Sequence, residues 1–443
     1  MPARRRAELV LAFPNHGQAQ SNFDTPMAES VLVKAWAMTS DSYPGIEREI
    51  DRLLNCTLER LVQKELLRRI MRFNFDFEAN GQLISQLLAY KMGVAAAPTG
   101  TQANQVQTLT MTGTGGTWRV GITIGQYIKY TPYLAWNVSA ANLKAAIENL
   151  TAIGRNNTTV TLSTGVYTIT HVNNLARAEM PQYVVDGALL TGGTVTPLET
   201  VPGVQKTHAL SEITTFQQPA FGFVVGYRNS SRLPRRYDSC VVDSLRISGA
   251  HAQPRLTANV GIVGSGNLND VTSGYTIPAC TIYRPIRFKD CILIINGVDY
   301  SNQAVTGNPW RDFELTMSSG IITDDDAYPG QDEDVHRLER ADERPWALNV
   351  GILGEKGDDI YALAEENAEV AVSLQLGRTN ECDIITLPKA SVSLRNPETA
   401  FDGTAKRTKI LINIEPEEIP GDATTPYTVA AKFDETATLL TAA

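Results

Sequence analysis

The stretch LTANVGI at residues 256–262 carries the pattern that decides the fold. Its apolar residues occupy every second position, and threonine, asparagine and glycine stand between them. A period of two predicts a β-strand with one face in a core and the other in water. The same alternation recurs in FELTM at residues 313–317 and in VAVSLQL at residues 370–376. The sequence therefore predicts an antiparallel sheet with one dry face and one polar face.

Further strands and a few helices complete the pattern. FNFDF at residues 73–77 predicts another half-buried strand, and the apolar stretches at 291–295 and 410–412 predict central strands. Two short helices are expected, one over residues 83–93, which ends on a glycine, and one over residues 359–366. Few helices and many strands predict a mainly β fold, a sandwich or barrel with one packed helix.

The N-terminal region departs from this pattern. Residues 1–45 show weak periodicity, which predicts an extended arm. From Ile46 to Ile70, apolar residues recur three or four positions apart among charged residues. That spacing predicts a long charged helix.

A threonine- and glycine-rich block from Gln105 to Pro202 interrupts the β pattern. Its flanks, AAAPTG at residues 95–100 and TVPG at 200–203, are small and turn-forming, as expected where few contacts cross a boundary. Domain insertion succeeds at such sites because the host has only to close one loop. We therefore expect a passenger domain within a host.

The block has the pattern of a small α+β unit. Strands are predicted at residues 105–111 and 118–122, and a hairpin is predicted around Gly165. Ser139 is placed to cap a helix that ends before Gly154. The expected core residues are Trp118, Val120, Ile122, Leu143, Ile147, Leu150, Leu162 and Ile169.

These patterns divide the chain into three parts. We predict an N-terminal arm and helix at residues 1–72, a discontinuous β domain at residues 73–104 and 203–443, and an inserted surface domain at residues 105–202. A chain of 443 residues is long enough for separate cores of this kind.

Composition limits the function. A hydrophobic content of 43% and a charged content of 20% describe an ordinary globular protein. The net charge of −9 argues against nonspecific nucleic-acid binding by the whole molecule. No apolar stretch approaches the roughly 20 residues that span a bilayer, so we expect no membrane insertion. The cysteines are scattered without a Cys-x-x-Cys pair, which favours reduced, buried thiols.

No catalytic, metal-binding or cofactor-binding pattern is found. The glycine-rich stretch at residues 113–117 lacks the lysine of a phosphate loop, and a turn between strands explains it better. The histidines are isolated from one another and from the cysteines, so no zinc spacing emerges. The acidic run from Asp324 to Asp334 lacks the regular Asp-x-Asp-x-Asp-Gly order of a calcium-binding loop, so we expect a solvated loop there. We expect no enzyme activity.

One basic segment has two interpretations. Arg232, Arg235 and Arg236 lie among tyrosines, a composition found in nucleic-acid patches and in protein interfaces. Acidic loops on the same chain offer partners, so we favour contacts with a neighbouring subunit.

Several stretches together match a known pattern. They are FDFEANG at 75–81, YDSCVVDSLRI at 237–247, CILIINGVDY at 291–300, FELTMSSGI at 313–321 and IITLP at 384–388. The chain resembles bacteriophage tail tube proteins over most of residues 73–95 and 210–433. The inserted block separately resembles a small β-rich module of phage and bacterial surface proteins, in residues 105–111, 136–143 and 189–193.

The resemblance implies a subunit that assembles into hexameric rings. The rings would stack around a tape-measure protein, meet tail terminator and distal tail proteins at the ends, and form a channel through which DNA passes without specific binding. Such a subunit is assembled in the bacterial cytoplasm and belongs to the virion. It needs no cofactor. If Phe313, Leu315 and Met317 pack inward, Glu314, Thr316 and Ser318 face away from the core and are candidates to line the channel, whose surface we expect to be acidic or neutral.

Two other functions stay open at this point. A distal-tail or surface adhesin that binds host cell-wall carbohydrate would expose clustered aromatic residues, whereas the tryptophans here are dispersed. A tail-associated hydrolase would need two carboxylates close together on one face. The sequence leaves open the ring symmetry and whether the tail is contractile.

Overall fold

The computed structural model describes most of the chain. The described residues are 8–14, 34–37, 46–54, 61–124, 127–212, 218–228, 234–264, 268–270, 275–276, 278, 285–301, 310–321, 346–354, 358–378, 381–395, 408–417 and 427–432.

The protein is mainly β, as predicted. The first strands are β1 (Glu8–Phe13), β2 (Lys34–Ala37), β3 (Ile46–Leu54), β4 (Leu61–Glu78) and β5 (Gly93–Ala95). Next come β6 (Val106–Met111), β7 (Gly115–Ile124), β8 (Tyr127–Tyr130), β9 (Leu134–Ala135), β10 (Thr158–Ser163), β11 (Val166–His171), β12 (Val184–Asp186), β13 (Leu190–Thr191) and β14 (Val195–Val201).

The later strands return to the host pattern. They are β15 (His208–Glu212), β16 (Phe221–Arg228), β17 (Arg235–Ala250), β18 (Gln253–Gly264), β19 (Leu268–Asp270), β20 (Ile292–Ile295), β21 (Val298–Asp299), β22 (Trp310–Ser318) and β23 (Trp346–Gly354). The last are β24 (Glu369–Arg378), β25 (Glu381–Leu394), β26 (Thr408–Pro416) and β27 (Thr428–Lys432). Three α-helices lie in the described residues: α1 (Gly81–Met92), α2 (Ala140–Glu148) and α3 (Asp359–Glu365).

The largest sheet is antiparallel and runs β3–β4–β18–β17–β22–β23–β26–β25–β24–β20. Two long strands change partner along one side. β17 pairs first with β16 and then with β22, and β25 pairs first with β27 and then with β26. Two branches of three strands therefore extend from the main sheet. One is β16–β1–β2, which joins at β17, and the other is β27–β15–β5, which joins at β25. The strands described do not close into a barrel, so the barrel alternative is not supported.

Helix α1 lies inside this arrangement, against β17, β15 and β25. It begins where the Asn80 side chain accepts a hydrogen bond from the Leu83 amide, at 3.0 Å, and it ends at Gly93, whose φ of 91° favours glycine. Every residue of the helix is buried. Its apolar side chains join those of both branches and of the main sheet in one core cluster. The packed helix predicted from residues 83–93 is confirmed.

The alternation of the host strands matches the prediction. Phe73, Phe75 and Phe77 are buried, and the residues between them are exposed or half-buried. The strands predicted to be apolar on both faces behave differently. β20 and β26 alternate buried and half-buried residues, because the second face of each strand is open on the polar side of the sheet.

The predicted helix over Ile46–Ile70 is wrong in every residue described. Ile46–Leu54 and residues 61–70 are strands that pair with each other, and β4 continues without a break into the phenylalanine-rich strand. Residues 61–70 adopt a strand because they pair with β3 and continue directly into the part of β4 that pairs with β18. These contacts outweigh the helical spacing of the apolar residues. Part of the predicted arm is also strand, since β1 pairs with both β16 and β2. The boundary predicted at residue 72 falls inside β4.

Residues 105–201 form sheets of their own. β10–β11–β6–β14 make a four-stranded sheet, and β7 pairs with β8, β9, β12 and β13 in a second sheet. A separate apolar cluster lies between these sheets and α2, and it includes all of the predicted core residues except Leu162. Leu162 is 45% exposed because β10 is the last strand of its sheet. The predicted Ser139 cap is present: its Oγ accepts a hydrogen bond from the Asn142 amide at 3.3 Å.

Candidate functional site

A two-stranded ribbon extends the main sheet beyond β18. Residues 71–78 of β4 pair with β18, but residues 61–70 pair only with β3 among the described strands. The ribbon therefore has two open edges in the described part of the chain. A hairpin of two strands is marginally stable in water, and open edges are templates for another chain.

The polar face of the main sheet carries the residues predicted to line a channel. Glu314, Thr316 and Ser318 are half-buried on β22, on the face opposite the buried Phe313, Leu315 and Met317. The Glu314 carboxylate accepts a hydrogen bond from the Arg246 guanidinium on the adjacent strand β17. The structure thus places all three residues on the face that was predicted for them. Their position relative to a channel stays a prediction.

The same face carries further ion pairs between strands, two of them between adjacent strands and one, Lys409–Asp312, across β23. The atoms joined are Arg255 Nη1 and Glu78 Oε1 at 2.7 Å, Lys409 Nζ and Asp312 Oδ2 at 2.6 Å, and Lys389 Nζ and Glu369 Oε2 at 2.8 Å. Serine, threonine and asparagine occupy many of the positions between the pairs. Each cation on this list is matched by a carboxylate, so the pairs add no net positive charge to the face.

The arginines of the predicted basic segment differ in their environments. Arg232 lies outside the described residues, and Arg235 is exposed at the start of β17. Arg236 is only 7% exposed, and its Nε and Nη2 atoms lie 3.1 and 2.9 Å from Oδ1 of the fully buried Asp238. A guanidinium buried against a carboxylate of its own subunit does not fit the predicted contact with a neighbouring subunit. Of the two arginines described, only Arg235 keeps that role as a prediction.

Polar residues on α1 form a buried network that the sequence did not indicate. Ser85 Oγ donates a 2.8 Å hydrogen bond to Oδ1 of Asp383 on β25. Burial raises the pKa of the Asp383 carboxyl well above its usual value. Lys91 Nζ donates to Ser319 Oγ at 2.6 Å, and Gln218 Nε2 donates to the same oxygen at 2.7 Å. Gln218 Nε2 also donates to the Lys91 carbonyl at 2.9 Å, so these contacts tie the helix to three separate parts of the chain. No local pattern reveals them.

The chain leaves and re-enters the host through two paired segments. Ala103 and Val204 exchange backbone hydrogen bonds of 3.1 and 3.0 Å, and Thr99 and Thr207 exchange two of 2.9 Å. The ends of the inserted block therefore lie side by side, as expected for an insertion. We call these paired segments the neck.

A pair of carboxyl groups lies beside the neck. The Glu179 side chain is hydrogen-bonded to that of Glu199, and its Oε2 accepts the Gly203 amide at 2.7 Å. Glu199 Oε1 accepts Nε2 of the buried Gln105 at 2.9 Å. Burial, together with the hydrogen bond and negative charge of Glu199, raises the pKa of Glu179. Folding of the neck therefore favours the protonated form of the Glu179 carboxyl.

Other sequence candidates give no site. The acidic run from Asp324 to Asp334 lies outside the described residues. Within the described ranges, no three histidine, cysteine, aspartate or glutamate residues come together as metal ligands. Cys240, Cys291 and Cys382 are buried, and burial raises the pKa of the Cys291 thiol to about 12. No helix in the described ranges is long and apolar enough to cross a membrane.

Comparison of the chain with models of known protein families gave no match, and comparison with curated proteins gave none either.

Proposed function

We propose that this chain is a structural subunit of a bacteriophage tail tube. The observation that carries the proposal is the ribbon formed by β3 and residues 61–70 of β4, which extends past β18 with open edges in the described chain. Such a ribbon gains stability by pairing with another strand or by packing on another sheet. A second copy of the chain offers both, and repetition of the contact around a ring closes every edge.

The polar face of the main sheet suits a channel for DNA. Several arginines and lysines on this face are paired with carboxylates of other strands, as in Arg246–Glu314 between adjacent strands and Lys409–Asp312 across β23. Free cations would bind phosphates and slow the passage of DNA, because each contact releases counterions. A face of small polar residues and neutralised pairs lets a polyanion slide. The proposed partners are other copies of the chain, the tape-measure protein, the terminator and distal tail proteins, and DNA in transit within the virion.

The proposed role is structural, with no catalytic step and no cofactor. Hexameric rings come from the resemblance to tail tube proteins, and the geometry of one subunit does not set the ring size. The inserted block fits the outside of such a tube, since its paired neck closes the host at one point. A block inside the channel would obstruct DNA.

A second candidate function has an observation in its favour. All but two of the large apolar residues with exposed side chains in the described chain lie in the inserted block; the exceptions are Val94 and Val298. The exposed set includes Tyr133 and Trp136, and the Arg119 guanidinium lies 4.3 Å from the ring centre of Tyr130 and 4.9 Å from that of Tyr133. Exposed aromatic rings beside an arginine are compatible with a surface adhesin that binds cell-wall carbohydrate.

Negative-stain microscopy of the purified chain tests the first proposal. We expect rings or stacked tubes at high protein concentration. A variant that replaces residues 46–70 by a short Gly/Ser turn should fail to form tubes, because it lacks the ribbon while β18 keeps its pairing with residues 71–78. Monodisperse monomers of the wild-type chain at every concentration would overturn the proposal. Binding of purified cell-wall polysaccharide by those monomers would support the adhesin instead.

A further inference from the structure

We propose that the inserted block carries a docking edge, strand β10, which pairs antiparallel with β10 of a second copy of the chain. This inference goes beyond the proposed tube, whose subunits assemble through the host sheet. It rests on a contrast between the two edges of the β10–β11–β6–β14 sheet.

The β14 edge is protected against pairing. Pro197 has no amide hydrogen to donate, Glu199 places a charge in the strand, and the register shifts between Glu199 and Val201. Proline, charge and a bulge are the devices by which sheets discourage added strands.

The β10 strand itself has none of these devices, and a charged group, the Glu148 carboxylate, lies only at its first residue, Thr158. Its six residues, TTVTLS, contain no proline and no charge, and the register with β11 is unbroken from Thr158 to Ser163. No residue between Asn156 and Thr170 carries a charge. In the described chain, β10 pairs on one side only. An uncharged, regular edge of this kind is open to another strand.

The direction of the backbone groups on β10 can be assigned. The Thr158 amide donates to Glu148 Oε1 at 3.2 Å, which places it on the side away from β11. Backbone groups of an antiparallel strand alternate sides, so those of Val160 and Leu162 also face outward. The Thr158 amide is already bound to Glu148, so Val160 and Leu162 carry the backbone groups that an added strand would bind.

The side chains select the second copy and its register. Leu162 lies on the core side of β10, opposite the buried Tyr167, but is 45% exposed. When two β10 strands pair antiparallel about Thr161, Val160 of each copy lies opposite Leu162 of the other on the core side. Thr159 then lies opposite Ser163 on the outer side, and no charges meet. The exposed leucine is thereby covered, and the apolar core continues across the contact.

The outer face of the same sheet also lacks charge. Its side chains from all four strands are Thr159, Thr161, Ser163, Val166, Thr168, Thr170, Val106, Thr108, Thr110, Thr196, Leu198 and Val201. The host sheet differs, since its polar face carries several ion pairs. Two inserted blocks joined at β10 form one eight-stranded sheet whose outer face contains no repulsive pair. A two-fold contact closes after two copies, so it yields dimers and does not propagate.

Cysteine cross-linking of the full-length chain tests the register. In this pairing, Thr161 of one copy lies opposite Thr161 of the other in a non-hydrogen-bonded pair. The two Cα atoms of such a pair are about 4.5 Å apart, which is close enough for a disulfide between cysteines at this position. We expect Thr161→Cys to give a covalent dimer under mild oxidation. Thr196→Cys, on the same face at the protected edge, and the wild-type chain should not. Equal cross-linking of both variants, or none, would overturn the proposal.

Charge substitution tests the energetics on unassembled subunits. Thr161→Lys places two lysines opposite each other in the dimer, so its dissociation constant in sedimentation velocity should rise by roughly tenfold or more. Thr196→Lys adds the same charge at the other edge and should dimerise as the wild type does. Tube formation should be intact in both variants, which separates this contact from the proposed function. Equal dimerisation of the two lysine variants would refute a β10 contact.

Discussion

Ser85 on α1 and Asp383 on β25 are joined by a 2.8 Å hydrogen bond across 298 positions of the chain. Both residues are completely buried. The pKa of Asp383 is raised by burial and only partly lowered by the Ser85 hydrogen bond. Folding therefore favours the protonated carboxyl, and α1 is held by a neutral pair.

The Asp383 carboxyl should make folding less stable as pH rises. Its folded pKa lies above its unfolded value, so its stabilisation is complete below the unfolded pKa and is lost as pH rises toward the folded pKa. Asp383→Asn keeps an oxygen for Ser85 and cannot ionise. We expect the fall in melting temperature between pH 5 and pH 9 to be smaller in this variant, measured by thermal unfolding. Identical pH profiles for variant and wild type would contradict the assignment.

The carboxyl pair at the neck should make that region open as pH rises. Glu179 loses its proton once the pH exceeds its raised folded pKa, and its negative charge is then repelled by that of Glu199. The other groups facing the pair are Gln105, Gly203 and His171, and burial lowers the pKa of His171 to about 4, so its ring is neutral above that pH. Proteolytic release of the inserted block should accelerate with pH in the wild type.

Glu199→Gln should flatten that pH dependence, since it removes one charge and can still hydrogen-bond Glu179. Asp186→Asn is the matched control: it lies in the same block, but its pKa is lowered by the Ala188 amide and by Arg119. If both variants are cleaved with the wild-type pH profile, the pair does not control the neck.

The spacing of apolar residues correctly predicted several strands of the host sheet, but it gave the wrong secondary structure for the N-terminal region. Alternation located the phenylalanine-rich start of the host sheet and the β18, β22 and β24 strands, because one face of each is buried and the other is wet. The segment Ile46–Ile70 has apolar residues at spacings that suit a helix, yet its strands are set by pairing between distant residues. Such pairing leaves no periodic signal in the sequence.

The candidate sites were predicted unevenly for a similar reason. The polar face with Glu314 followed from alternation within one strand. Arg236 pairs with Asp238 because both side chains are buried where β17 meets β16. The arginine- and tyrosine-rich composition of the basic segment gave no sign of that burial. Asp383 meets Ser85 298 positions away, and Glu179 meets Glu199 on β14 of the inserted block. Neither contact leaves a local pattern, so these pKa shifts were not accessible from sequence.

The two described arginines of the basic segment should respond differently to substitution. Arg236→Ala removes a charged partner of the fully buried Asp238, and such losses cost about 3–5 kcal/mol. The free energy of unfolding, measured with urea, should fall accordingly. Arg235→Ala, at an exposed position, should change it little. Equal and small effects would show that the Arg236–Asp238 pair does not stabilise the fold.

Arg235 is the described arginine that is available to a neighbouring subunit. Arg235→Glu reverses an exposed charge, so we expect a normal melting temperature with a reduced yield of tubes by electron microscopy. Each ring repeats the unfavourable contact at every interface, which amplifies a small effect. Tubes formed by the variant at the wild-type yield would remove Arg235 from the interface.

Removal of the inserted block should leave the host intact. Replacing Gln105–Pro202 by a short Gly/Ser linker keeps the Thr99–Thr207 and Ala103–Val204 pairs, which already hold the two ends side by side. The cost of loop closure changes by only about 0.6 kcal/mol per doubling of loop length. The block also has its own apolar cluster, so the host core loses none of its members. We expect the shortened chain to be soluble, to keep its melting temperature and to form rings and tubes in negative stain. An insoluble product would place the block within the host fold. A soluble product that forms no tubes, beside a wild type that does, would place an assembly contact in the block.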